Sequence, residues 1–384
     1  MTNQLQSTGE PARVVLEGVP WVGFYRGGPR CPEDVTFPSC LRASLEYLGE
    51  HIGCQHIPMH DVAWQCSYAY AYLTGTSGCA FCLSWRPGWH LDNVEIMAMS
   101  DDPAAPFRRA FESVGYAHEI ILIEEGRDNE AYFRQRIVES IRDKGRPVLA
   151  FGIIGPPECC LVTGYDEGGD VLIGWNYFQE SPEFNAGVEF EPSGYFRKRD
   201  WFKGTDDSLI IIGDKQERPP LGEVYREALR WALQVVRTPV TCGDRHNGLA
   251  AYAAWAEQLA HDDEFPAGDE AVLRERHAIH NNAVGEVAEG RWYGSLFLAQ
   301  VAGQEPAMAE ELLMAAACYA AEHDLMWQVW NLAGGIDNPE AYLRLAEPAV
   351  RRQIVPVILQ ARDRDAEAAD HIERALAQAG KPPA

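Results

Sequence analysis

The sequence predicts an α+β protein in two parts, a mixed half in which helices lead and strands follow, and an all-α helical half. Two observations carry this reading. Apolar runs rich in β-branched residues recur between residues 119 and 213, and from residue 221 onward they give way to apolar stripes at three- and four-residue spacing. Length is a third observation, because 384 residues exceed a single core, which tends to stop growing at roughly 250–300 residues. Two domains are expected, 1–216 and 217–384.

The elements of the first half follow in order. Ser39 is a good N-cap, and Leu41, Leu45, Leu48 and Ile52 recur every three or four residues, so a helix is expected to begin near Cys40. Helical stretches follow at 107–114 and 129–143. Strand-like runs stand at 119–123 (EIILI), 147–152 (PVLAFG), 159–165 (CCLVTGY), 170–175 (DVLIGW) and 208–213 (SLIIIG). Asp166-Glu167-Gly168-Gly169 joins the third and fourth of these runs. Its glycines tolerate the positive φ of a tight turn, which predicts a hairpin.

The run KQERPP near Lys215 brings charges and a double proline, and places the domain boundary. Beyond it the sequence reads as helices at 221–237, 249–261, 270–289, 292–301, 307–323, 339–346 and 348–379, the last broken or kinked at Pro356. Ala-rich helices of this kind pack closely as a bundle.

Charge narrows the function classes. The 57 acidic residues outnumber 33 basic ones, a net charge of −24, which argues against nucleic-acid phosphates or an anionic membrane surface as partners. The N-terminal residues lack the basic start and apolar run of a signal peptide, and no run of ~18 apolar residues occurs. A cytoplasmic protein is expected, its ten cysteines reduced thiols, buried small hydrophobes or site residues. No cofactor is expected.

Cys40 is the most informative residue. A thiol in the first turn of a helix faces unpaired backbone N–H groups and the positive end of the helix dipole, which favours thiolate and an oxyanion formed beside it. The plain alternative is a small buried residue in that turn.

These residues resemble a known family. A Cys-x-x-Ala-x-Leu helix at Cys40, the strand Pro147-Val148-Leu149-Ala150-Phe151, and a hairpin reading Val162-Thr163-Gly164-Tyr165 through Trp175-Asn176 look like the papain-like bacteriocin-processing peptidases. The similarity is closer to the N-terminal domain family of butirosin biosynthesis protein H. The segment Thr74-Gly75-Thr76-Ser77-Gly78-Cys79-Ala80-Phe81, followed by Trp85, Pro87 and Trp89, is similar to that family's glycine-rich stretch.

The resemblance implies a papain-like fold over roughly residues 35–213 and acyl chemistry through Cys40: attack on an amide, ester or thioester, then transfer to an amine or water. It also implies a small-molecule, peptide or carrier-protein-bound acyl substrate. Family members pair the cysteine with a histidine six residues before the Gly-Tyr of the hairpin and with an Asp or Asn after its second strand. Those positions are Glu158 and Asn176 here. The glutamine that precedes the nucleophile in the peptidases is absent from residues 31–39.

An ionised glutamate beside a thiol opposes thiolate where an imidazolium would favour it. Three readings follow. Another histidine such as His90 reaches Cys40; Glu158 acts as a general base; or the site only binds, with Glu158 anchoring a cationic amine. His90, Trp175 and Tyr177 are candidate substrate-binding residues, and the aromatics Phe178, Tyr195, Phe196, Trp201 and Phe202 are candidates for pocket wall or core.

Weaker constellations complete the inventory. Cys54, His56, His60 and Cys66 match no strong metal motif, Cys79-x-x-Cys82 lacks the second pair a structural zinc site needs, and His277 and His280 share a helical face. No metal site is expected among them.

Overall fold

A computed structural model describes residues 11–26, 30–50, 52, 56–59, 64–204 and 208–379, with 56–59 and 64 as backbone only. The chain runs β1 (Val14–Val15), α1 (Thr36–Tyr47), β2 (His56–Met59), β3 (Trp64–Ser67), α2 (Tyr68–Ser77), β4 (Ser84–Trp85), α3 (Ala105–Val114), β5 (Tyr116–Leu122) and α4 (Asn129–Lys144). It continues β6 (Val148–Phe151), β7 (Cys159–Asp166), β8 (Val171–Trp175), β9 (Val188–Phe190), β10 (Phe196–Arg199) and β11 (Ser208–Lys215). The remainder is α5 (Leu221–Arg237), β12 (Val240–Thr241), β13 (Arg245–Asn247), α6 (Leu249–Ala260), α7 (Glu270–Gln304), α8 (Ala309–Leu332), α9 (Ala341–Ala346) and α10 (Pro348–Ala379).

These elements form two compact units, Met1–His51 with Tyr116–Glu217, and Ile52–Gly115 with Arg218–Ala384. The partition differs from a single cut after residue 216. Residues 52–115 join the helical unit because α2 packs against α7 and α5, and β4 pairs with β13. The second unit therefore also contains short strands in the stretch from Val240 to Asn247, between two expected helices, where the sequence predicts a connection and no strand.

The first unit is an antiparallel sheet in the order β5-β11-β6-β7-β8-β10-β9. β1 pairs with the end of β7, Val14 facing Tyr165, on the side where β6 pairs with its start. The expected hairpin is β7–β8, and its turn uses positive φ at Glu167 (51°), Gly168 (69°) and Gly169 (104°). Helices α1 and α4 pack on this sheet, burying Phe37, Leu41, Phe133, Ile137 and Ile141 with Leu149, Leu161, Leu172 and Ile210. Continuous burial of residues 148–151 and 171–175 explains why these strands read as unbroken apolar runs.

In the second unit the expected helices at 270–289 and 292–301 are one helix, α7. Gly290 does not break it. A Cβ there would meet the Ala80 carbonyl oxygen at 3.3 Å, so the glycine allows close approach of another backbone. Helix α10 likewise runs through Pro356, an exposed position, as one element. Among the described residues no helix is long and apolar enough to cross a membrane.

Candidate functional site

The site expected at Cys40 lies where α1 meets the start of β7. The helix starts earlier than its sequence suggests, at Thr36, with Val35 as an N-cap whose side chain makes no capping hydrogen bond. Cys40 is thus the fifth helical residue, past the four N–H groups that a helix leaves unpaired. Its own N–H cannot serve as an oxyanion donor without breaking a helical bond. The residue is completely buried, and its thiol donates toward the Cys159 carbonyl oxygen at 3.6 Å.

Thr36, one turn before Cys40 on the same helix face, ties the junction together. Its hydroxyl donates to Glu158 Oε2 at 2.7 Å and accepts from the Cys159 N–H at 3.2 Å. Glu158 therefore stands at the start of α1, where the helix dipole favours a carboxylate. Glu158 as a residue is exposed, yet protein atoms crowd its carboxyl. That desolvation raises its pKa, the Thr36 hydrogen bond pulls the other way, and solvent at the exposed residue tempers the net shift. Its second oxygen, Oε1, takes no hydrogen bond from a described residue.

Burial pushes the neighbouring Cys159 thiol well up, and the Cys40 side chain adds to this. Tyr177 belongs to the same corner. Burial, then Cys40, push its hydroxyl up, a Ser39 hydrogen bond opposes this, and the hydroxyl donates to the Glu33 carbonyl at 2.8 Å.

Of the implied trio, Cys40 and Glu158 share this junction through Thr36 and Cys159. Asn176 is otherwise committed: its Nδ2 donates to the Ile154 carbonyl at 3.3 Å and its Oδ1 accepts from the Phe178 N–H at 2.7 Å. Trp175 donates from Nε1 to the Val19 carbonyl and meets Tyr195 edge-on, centroids 4.6 Å apart. Trp175, Tyr177, Tyr195, Phe196 and Trp201 are all buried core.

Among the described residues of the first unit, no imidazole joins the corner. His118, the one described histidine of the first unit, sits on β5, three strands from β7, about 14 Å at about 4.8 Å per strand. His90 belongs to the second unit, where its Nε2 lies 3.0 Å from the Pro87 carbonyl oxygen.

The weaker constellations divide. Cys54 and His60, and the side chain of His56, lie outside the described residues. Cys66 is disulfide-bonded, as is Cys31, which corrects the expectation of reduced thiols throughout. Cys79 and Cys82 are free and buried. Burial raises the Cys79 thiol to about 12, and Cys82 donates to Glu286 at 3.3 Å. His280 is buried, its Nδ1 accepting from Trp255 Nε1 at 3.2 Å.

Two features of the second unit escape a reading of the sequence. A cavity of about 360 Å³ is lined by Asp101, Asp102, Arg108, Arg109, Trp231 and Gln234 among others, with the Arg109 guanidinium 4.2 Å from the Trp231 ring centroid. Inside the bundle, Arg291 is fully buried and bonds Asp365 at 2.7 Å and the Tyr252 hydroxyl at 3.0 Å, beside a fully buried Glu322. In the sequence these are ordinary helix charges, and only their burial sets them apart.

Compared with known proteins, the chain matches no family model and no curated sequence.

Proposed function

We propose that this protein is a non-catalytic binding protein whose first unit keeps a papain-like architecture without its nucleophile. The observation that carries this reading is the state of Cys40. Its sulfur is sealed from solvent and donates toward a carbonyl oxygen, and no described histidine of its unit bonds it. A working nucleophile needs the reverse: access to substrate, a base within hydrogen-bond reach and N–H donors aimed at the developing oxyanion.

The papain-like reading rests on the short motifs around Cys40 and on the packing of α1 against an antiparallel sheet that contains the β7–β8 hairpin. The similar segment at residues 74–89 belongs to the other unit, so it adds nothing to this architecture. Glu158 is the residue best suited to contact a ligand. An exposed position and an oxygen that no described residue donates to suit its carboxylate to hold a small molecule or peptide through a protonated amine.

Catalysis is tested with a simple acyl thioester incubated with the full chain and followed by intact mass. The reading predicts no acyl adduct and equal thioester decay for wild type and Cys40→Ala. An adduct that maps to Cys40 overturns it in favour of acyl transfer.

A further inference from the structure

Helices α8 and α10 bring together three side chains that the preceding sections leave unused. Cys318 on α8, and Glu367 and His371 one turn apart on α10, each offer a ligand atom, and these atoms all lie within 4.8 Å of one another. We propose that Cys318, Glu367 and His371 form a binding site for a divalent transition-metal ion of the zinc class.

The donor chemistry selects the ion. Sulfur, imidazole nitrogen and carboxylate oxygen together suit Zn²⁺ and do not suit Mg²⁺ or Ca²⁺, which take all-oxygen shells. In a tetrahedral zinc site, ligand atoms at about 2.0–2.3 Å from the metal are about 3.3–3.8 Å apart, so the three need close by only about 1 Å. The graded exposure fits too, with Cys318 buried, His371 half-buried and Glu367 exposed, which leaves a solvent side for entry and for a water ligand. The Cys318 sulfur and a Glu367 carboxylate oxygen already lie within 4.8 Å of each other. Coordination replaces the Cys318 S–H bond with a sulfur–metal bond and releases that proton to solvent.

A second observation concerns the other partners of the imidazole. His371 Nδ1 lies 2.6 Å from Glu311 Oε2, and Arg374 Nε donates to the same oxygen at 3.0 Å. Arg374 Nη2 also lies 2.7 Å from Nδ1. A guanidinium only donates and a carboxylate accepts, so the two contacts compete for Nδ1: Arg374 suits its lone pair and Glu311 its N–H, and a metal on the far side of the ring selects the tautomer whose Nδ1–H goes to Glu311. Nε2 then carries the lone pair. A carboxylate that accepts the other N–H of a metal-bound imidazole is its usual support, which makes Glu311 a positioning residue.

The test is titration of the metal-free full chain with Co²⁺, read by the cobalt–thiolate charge-transfer absorption, followed by displacement with Zn²⁺. The expected result is saturation at about one equivalent, loss of the band in Cys318→Ser and in His371→Ala, and about 10–100-fold weaker binding in Glu311→Gln. The two ligand variants sit on different helices, so a folding defect in one leaves the other informative. No thiolate band, or a band unchanged in both ligand variants, overturns the site. An unchanged affinity in Glu311→Gln overturns the role given to that carboxylate.

Discussion

A threonine hydroxyl donates one hydrogen bond and can accept others, and Thr36 does both at the junction of α1 and β7. Thr36→Val keeps the shape and removes both bonds, leaving the buried Cys159 N–H without that partner. The expected cost is about 1–3 kcal/mol in urea unfolding, and a change below about 0.5 kcal/mol contradicts the bridging role. Thr36 was not legible in the sequence, because nothing in residues 36–40 marks a hydroxyl that reaches across 122 positions to Glu158. Cys40 was legible as the residue to ask about. Its position was not, since Ser39 looks like a cap and in fact lies inside the helix.

Period and turn chemistry carried the elements further than the site. The β7–β8 hairpin follows from its glycines, and α5 spans residues 221–237 as its apolar stripe predicts, because both signals are local. The errors came where tertiary contact overrides a local sign. Gly290 reads as a breaker, yet serves as the close-packed spot against Ala80. The two- and three-residue strands β12 and β13 are too short to show a period-two pattern, and they exist because β4 pairs with β13. Residues 52–115 read as a continuation of the first half, because no local feature announces that α2 packs against α7.

Across the whole molecule, buried polar groups set how stability responds to pH, and His280 is the clearest case. Burial, with His277 adding to it, holds its pKa down to about 3. The folded-state value is depressed, so the unfolded chain takes up the proton first. Stability present above pH ~6.5 is lost as pH falls from about 6.5 toward 3, by up to about 1.4 kcal/mol per pH unit. His280→Gln should flatten the difference in urea midpoint between about pH 7 and pH 4.5, and parallel profiles for wild type and variant contradict this. What the molecule does turns on Cys40, and the direct measurement is iodoacetamide labelling of the folded chain against pH, mapped by peptide. Cys242, free and exposed, provides the internal standard. The account predicts that Cys242 labels while Cys40 stays unlabelled until the protein unfolds. Rapid labelling of Cys40 with a midpoint well below ~8.5, the ordinary thiol value, would show an accessible thiolate nucleophile and contradict it.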